Sequence, residues 1–205
     1  MCGRYFLEES PELRPIVEEM NRSPLLSCFP NAAAVTRSGE VKPSGVVPVI
    51  AMSRAGKRTV FPMKWGFSVP KSSGGVRLLI NARTETAAVK PTFREAWTAH
   101  RCIVPASCYF EWQHDAAKKA TGTKYAIQPP GQAVTWLCGL YRLEDGLPAF
   151  VILTREPGEE TRFIHDRMPL ILPQEQIDAW ISPGEKPEAT AAFAQTKMIC
   201  EPAAG

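Results

Sequence analysis

A chain of 205 residues, 44% hydrophobic and 22% charged, is long enough to bury a substantial core and has an ordinary globular composition. Its apolar runs fall well short of the roughly 18 residues that span a bilayer. The turn-forming Glu8-Glu9-Ser10-Pro11 is wrong for a signal peptide, so one cytoplasmic domain over residues 1–205 is expected. The net charge of +3 is small but uneven, with eight basic residues and no acid from Val41 to Thr84, and eleven acids against five bases from Leu143 onward.

The chain opens Met1-Cys2-Gly3-Arg4. Removal of the initiator methionine before so small a side chain leaves a terminal cysteine, with an α-amine and a thiol on adjacent carbons. Their ordinary pKa values, about 7.7–8.0 and about 8.5, keep part of each group reactive near neutral pH. The amine condenses with an aldehyde to an imine, and the thiol can close onto the imine carbon to give a five-membered thiazolidine. The terminus therefore suits aldehydes or acyl transfer. Read structurally, it is a strand that starts with a small apolar residue.

Ser10-Pro11 reads as a helix start, and Leu13, Ile16, Val17 and Met20 share one helical face. Pro15 interrupts that pattern, so the helix either kinks or begins later. Strands are predicted over 46–52, 58–63, 76–82, 101–106, 108–113, 124–128, 133–141, 149–154 and 168–172. Thr92-Phe93-Arg94-Glu95 has the capping-box pattern ahead of Ala96 and Trp97, and 174–181 places Ile177, Trp180 and Ile181 on one side. Two more helices are expected there, with hairpin loops at 71–75 and 114–123.

Lys42, Arg54, Lys57, Arg58, Lys64, Lys71, Arg77 and Arg83 are interleaved with Phe61, Trp65 and Phe67. Such a segment can line a groove for a polyanion, with cations for phosphates and aromatic faces for bases. It can equally be a solvated basic face around an aromatic core strand. The six cysteines, Cys2, Cys28, Cys102, Cys108, Cys138 and Cys200, contain no C-x-x-C pair, and His100, Cys102 and Cys108 lack standard ligand spacing. Neither a disulfide framework nor a metal site is expected, and no cofactor.

Polar residues interrupt the strands in three places. Asn81, Arg83 and Glu85 fall on one face if that segment stays extended. Glu111 is a lone carboxylate in Cys108-Tyr109-Phe110-Glu111-Trp112, where burial raises its pKa and suits it to moving a proton unless a cation holds it ionised. His165 lies between an isoleucine and Asp166-Arg167, just before a strand start restricted by Pro169.

Met1-Cys2-Gly3-Arg4-Tyr5, Lys64-Trp65-Gly66-Phe67, Ile80-Asn81-Ala82-Arg83-Thr84-Glu85-Thr86, Arg101 to Ser107 running into Tyr109-Phe110-Glu111-Trp112, and Ile164-His165-Asp166-Arg167-Met168-Pro169 occur in this order. Together they resemble the signature blocks of the SOS response-associated peptidase (SRAP) family, over about residues 1–170. The resemblance implies an α+β fold with a strongly bent, barrel-like, mainly antiparallel sheet and a few peripheral helices. It also implies a sensor of abasic sites in single-stranded DNA; a monomer, nucleoid-associated when bound to DNA, is expected. By that resemblance Cys2 is the nucleophile of a covalent DNA–protein crosslink, Asn81 positions the terminus and the opened sugar, Glu111 transfers protons, and His165 assists ring opening and reversal. Arg4, Arg83 and Arg167 would hold phosphates, and Trp65 and Trp112 would line the DNA site. The peptidase chemistry would be removal of the residue before Cys2, and the imine step is lyase-like.

Two departures stand out: Cys108 where many members have glycine, and Glu40-Val41-Lys42-Pro43-Ser44 where longer members have Asn-Val-Ala-Pro. No role is carried onto residues 22–45. Two other functions remain open on the residues. An N-terminal nucleophile hydrolase of the amidotransferase kind also begins Met-Cys-Gly, although it continues differently from Arg4-Tyr5. A non-covalent binder of single-stranded or modified DNA would need only the basic segment.

Overall fold

The computed structural model describes residues 2–31, 34–114 and 120–204. After a first strand β1 (Arg4–Leu7) come helix α1 (Arg14–Asn21), β2 (Gly39–Val41), the hairpin of β3 (Val46–Met52) and β4 (Arg58–Trp65), and the ribbon of β5 (Phe67–Pro70) and β6 (Val76–Leu79). β7 (Asn81–Arg83) runs into α2 (Thr84–Ala87) and α3 (Pro91–Ala99). Five longer strands follow: β8 (Arg101–Ala106), β9 (Cys108–His114), β10 (Ala120–Gln128), β11 (Thr135–Glu144) and β12 (Leu147–Arg155). The two-residue strands β13 (Met168–Pro169) and β14 (Ile171–Leu172), helices α4 (Ile177–Ile181) and α5 (Pro187–Ala191), and β15 (Ile199–Ala203) complete the chain.

The larger sheet closes on itself. β12 pairs with β4, β4 with β3, β3 with β8, β8 with β11, and β11 returns to β12. All these pairings are antiparallel except β12–β4, and β7 adds to β12 as a second parallel neighbour. Closure removes the free edges that a five-stranded open sheet would leave. A second sheet runs β15-β10-β9-β1-β2 and packs Tyr5 against Trp65 of the barrel, ring centroids 5.3 Å apart. The α+β class and the bent, barrel-like sheet expected from the sequence are both present.

Residues 46–51 are buried at every position, not at alternate ones. One face of β3 lines the barrel, while α1 and α4 contact it from outside, so both faces select apolar side chains. Pro15 lies in the first turn of α1, where its missing N–H costs nothing, and the helix accordingly begins at Arg14. The Thr92 capping box does not form. α3 starts at Pro91 with Lys90 as its N-cap residue and no side-chain cap, because the proline fixes the first turn one residue earlier. The expected strand over 76–82 is divided into β6 and β7, and 168–172 into β13 and β14. The expected loop at 71–75 closes with a Lys71 N–H to Gly75 carbonyl bond of 3.0 Å. Of the loop expected at 114–123, residues 115–119 lie outside the described residues, and β10 begins at Ala120.

Gly66 makes the bend from β4 into β5 with φ of +117°, and a Cβ there would lie 2.5 Å from Leu78. Only glycine meets both constraints. The family's glycine position occupied by Cys108 carries no such demand, since Cys108 is an ordinary strand residue opposite Phe6. Among the described residues, no helix is long and apolar enough to cross a membrane.

Candidate active site

The site forms where β1, β7, β9 and the turn at 160–167 meet. β1 pairs antiparallel with β9 in the register Arg4↔Phe110 and Tyr5↔Tyr109. Continued to the chain start, this register carries Gly3 opposite Glu111. β7 reaches the same place from the barrel through Asn81↔Ile152, and its Nδ2 donates to the Cys2 carbonyl oxygen at 2.9 Å. The other Asn81 side-chain atom, Oδ1, is buried without a partner among the described residues.

Cys2 is fully buried. Burial pushes its thiol far above the ordinary range, and the negative charge of Glu111 adds to the shift. Burial likewise raises the Glu111 carboxyl, with the Asp166 carboxylate contributing in the same direction. Both groups therefore rest in their neutral forms more readily than they would in water.

His165 Nε2 lies 3.9 Å from Glu111 Oε1. On the other side of the ring, the Arg167 backbone N–H donates to Nδ1 at 3.0 Å, while Asp166 Oδ1 lies 2.9 Å from the same nitrogen. One nitrogen cannot accept the first bond and donate the second at once. With Nδ1 bare the ring accepts from Arg167 and carries its proton on Nε2, toward Glu111; with Nδ1 protonated the ring donates to Asp166. His114, at the end of β9, packs its ring on His165 with centroids 4.4 Å apart and donates its backbone N–H to the Ile164 carbonyl at 2.9 Å.

The expected DNA-contacting residues divide. Trp65 has no exposed surface: it is stacked on Phe150 at 6.2 Å and 9°, and its Nε1 donates to the Ile80 carbonyl at 3.0 Å. The expectation that Trp65 lines the DNA site is thus corrected, because a core ring presents no face to a base. It forms the floor beneath Tyr5 and the Asn81 strand. Trp112 is half-buried on β9, 5.6 Å below the Lys124 ammonium.

Arg83 is exposed and forms no ion pair among the described residues. The chain turns helical directly after it, so the polar stripe ends at Arg83 and Glu85 leaves the strand face. Glu85 instead receives Arg167 in a two-pronged pair of 2.8 and 2.9 Å, and Arg167 also donates to the Thr154 carbonyl at 2.6 Å. The Arg167 side chain is only 10% exposed. Arg4 is held by Glu40 at 3.2 Å, and the second oxygen of Glu40 accepts from Lys124 at 2.7 Å.

The basic segment is neutralised in part by the acidic C-terminal half, through Arg58–Asp178 at 3.3 Å and Lys64–Glu144 at 3.6 Å. Sequence reasoning missed Glu40, His114 and Lys124. Glu40 falls in the stretch given no role, and His114 and Lys124 carry no pattern that separates them from surface residues.

A closed barrel joined to a second sheet, with the buried Cys2 beside an asparagine, a carboxyl and an imidazole, is the architecture that these residues build. The chain belongs to the SOS response associated peptidase (SRAP) family, whose model matches residues 1–203. It is 31% identical over 195 residues to the abasic site processing protein YoaM of Bacillus subtilis strain 168, covering 89% of this chain and 80% of that one. To the abasic site processing protein YoqW of the same strain it is 32% identical over 190 residues, covering 89% and 81%. In fold it is similar to a phage-related protein from Bordetella bronchiseptica, with a TM-score of 0.72, 23% identity, and coverage of 98% and 94%.

Proposed function

We propose that the protein captures abasic sites in single-stranded DNA as a covalent adduct on Cys2, after loss of Met1 by aminopeptidase action or by the protein's own hydrolysis. The observation that carries this reading is the convergence of Asn81, Glu111 and His165 around Cys2 and Gly3, just before β1, supported by the relatives named for abasic site processing. An abasic deoxyribose equilibrates between a closed hemiacetal and an open aldehyde. Glu111 and His165, one able to give and one to take a proton, favour the open form.

The Cys2 amine then adds to the aldehyde carbon, and the carbonyl oxygen leaves as water to give an imine. The thiol sulfur bonds to the same carbon while its proton passes to the nitrogen, closing a thiazolidine. A neutral, buried thiol suits this closure, since the proton travels with the reaction and no thiolate must first be made in a dry site. Closure removes the imine that would promote β-elimination, and so shields the strand from breakage.

Asn81 holds the Cys2 carbonyl with Nδ2, which leaves Oδ1 to accept from a sugar hydroxyl or the terminal amine. The 3.9 Å gap between Glu111 and His165 is long for a direct hydrogen bond, and a bridging water or a small ring rotation carries the proton across it. Arg83 meets phosphate directly. Arg4 and Arg167 do so by exchanging their carboxylate partners Glu40 and Glu85, and Trp112 stacks at the rim.

The test is intact mass after mixing the protein with a uracil-containing single-stranded oligonucleotide treated with a glycosylase. The expected product weighs as protein lacking Met1 plus DNA minus one water, survives heating, and is absent for Cys2→Ala. Binding that is reversible and unchanged by Cys2→Ala would identify a non-covalent binder instead. Glutamine hydrolysis without DNA would identify an amidotransferase-like hydrolase.

A further inference from the structure

We infer that Phe163 is a base-stacking platform for a nucleotide flanking the abasic sugar, an assignment that rests on the proposed DNA-capture reading. The turn carrying it is built with two residues inward and two outward. Thr161 and Ile164 are buried, and the Ile164 and His165 N–H groups both bond the Thr161 carbonyl, at 3.0 and 3.2 Å. Arg162 and Phe163 therefore point to solvent, with Phe163 52% exposed.

The ring is not loose. Tyr125 meets it edge-to-face, centroids 5.6 Å apart at 90°, which fixes one side of the ring and leaves a face open. Tyr125 is the cross-strand partner of Glu111 in the β9–β10 pair, so the two side chains are neighbours on one face of the sheet. A continuous line thus runs from Glu111 through Tyr125 to Phe163, with one side chain between the carboxyl and the open ring. Phe163 also stands two residues before His165. An open phenyl at that distance from the reacting groups is placed for the base next to a nucleotide that has none.

The neighbouring Arg162 is exposed and forms no ion pair among the described residues, so it supplies a cation for the adjoining phosphate. Glu159 and Glu160 in the same turn weaken the local positive field, which leaves the ring as the main contributor. Stacking on an aromatic face needs no particular base, so the subsite favours any flanking nucleotide over a gap or a second abasic site.

The experiment uses mature protein and single-stranded DNA carrying a tetrahydrofuran abasic analogue, which cannot open to an aldehyde and so reports docking alone. 2-Aminopurine is placed on the 5′ or the 3′ side of the analogue. Quenching on one side by the parent protein, lost in Phe163→Ala and Phe163→Leu and kept in Phe163→Trp, is the expected result. Loss of the ring should weaken binding about 5- to 150-fold. Phe163→Leu separates stacking from plain apolar contact, and the exposed position keeps the fold intact, as a thermal melt checks. No quenching on either side, or quenching unchanged in Phe163→Ala, overturns the assignment. Adduct formation by the parent protein on a true abasic site is measured in parallel. If it fails, the DNA-capture reading falls; if it succeeds while quenching is independent of Phe163, only the platform does.

Discussion

The side-chain amide of Asn81 and the carbonyl of Cys2, 79 residues apart in sequence, are joined by a hydrogen bond of 2.9 Å. This bond ties Cys2, near the start of the chain, to a strand of the barrel, so its backbone is held rather than left to fray. Asn81→Ala should slow single-turnover adduct formation by about 100-fold, the scale expected when reacting groups lose their alignment. The loss of one hydrogen bond should cost only about 0.5–1.5 kcal/mol of stability. A denaturation curve measured beside the capture rate checks the contrast.

Cys2→Ala should leave at most an imine, trappable by borohydride and prone to strand cleavage. Cys2→Ser is less clean, because its hydroxyl can close a ring less favourably. A stable adduct undiminished in Cys2→Ala would refute the thiazolidine chemistry. Blocking methionine removal should be equally damaging, since an acylated nitrogen cannot form the imine.

Glu111 and His165 should separate by step. Glu111→Gln keeps the shape but cannot exchange a proton, and should slow adduct formation. His165→Ala should slow formation less and chase-driven reversal more, with both steps followed from pH 5 to 9. Equal effects on both steps would make the two residues one coupled unit. Glu111 also predicts a pH effect on stability. Because burial raises its folded pKa above the unfolded value, its contribution is fully present below about pH 4.3 and is lost as pH rises through the folded value. Glu111→Gln should therefore melt higher than the parent near neutral pH, with the difference vanishing toward pH 4.

Arg83 and Arg167 should differ although both were expected on phosphates. Arg83→Ala should weaken capture at low DNA concentration and flatten the salt dependence of binding by about one unit of slope, without changing stability. Arg167→Ala also releases Glu85, whose pKa is held down first by its hydrogen bond with Arg167. That pair stabilises the fold above the unfolded carboxyl pKa and is lost as pH falls through the folded one, so the variant's deficit should shrink in acid. Thermal melts at pH 3 and pH 7 read this directly.

Trp65→Ala should cost about 3–5 kcal/mol of stability as a core truncation. Trp112→Ala should leave the melt nearly unchanged and weaken DNA binding. Similar stability losses in both would show that Trp112 is also a packing residue.

The sequence by itself determined the local features. Short apolar runs containing β-branched residues marked strands at 46–52 and 101–106 with the bounds that β3 and β8 have, because side-chain branching and chain stiffness act within a few residues. The proposal of aminothiol chemistry at Cys2 likewise starts from one residue and its position. Strand pairing was not legible. The ring β12-β4-β3-β8-β11 and the parallel addition of β7 depend on which edges meet across long stretches of chain, and no local pattern names a partner.

Burial reversed one reading for the same reason. Trp65 among lysines and arginines looks like a binding surface in sequence, yet Tyr5 and Phe150 enclose it once the second sheet packs on the barrel. Charge pairing followed distance in space too: Arg167 meets Glu85, 82 residues away, and Arg4 shares Glu40 with Lys124. The sequence could supply a cysteine, a carboxyl, an imidazole and several cations. Only the tertiary structure decided which lie within reach of one another, because a side chain's partners and solvation are properties of the packed surfaces around it and not of its neighbours along the chain.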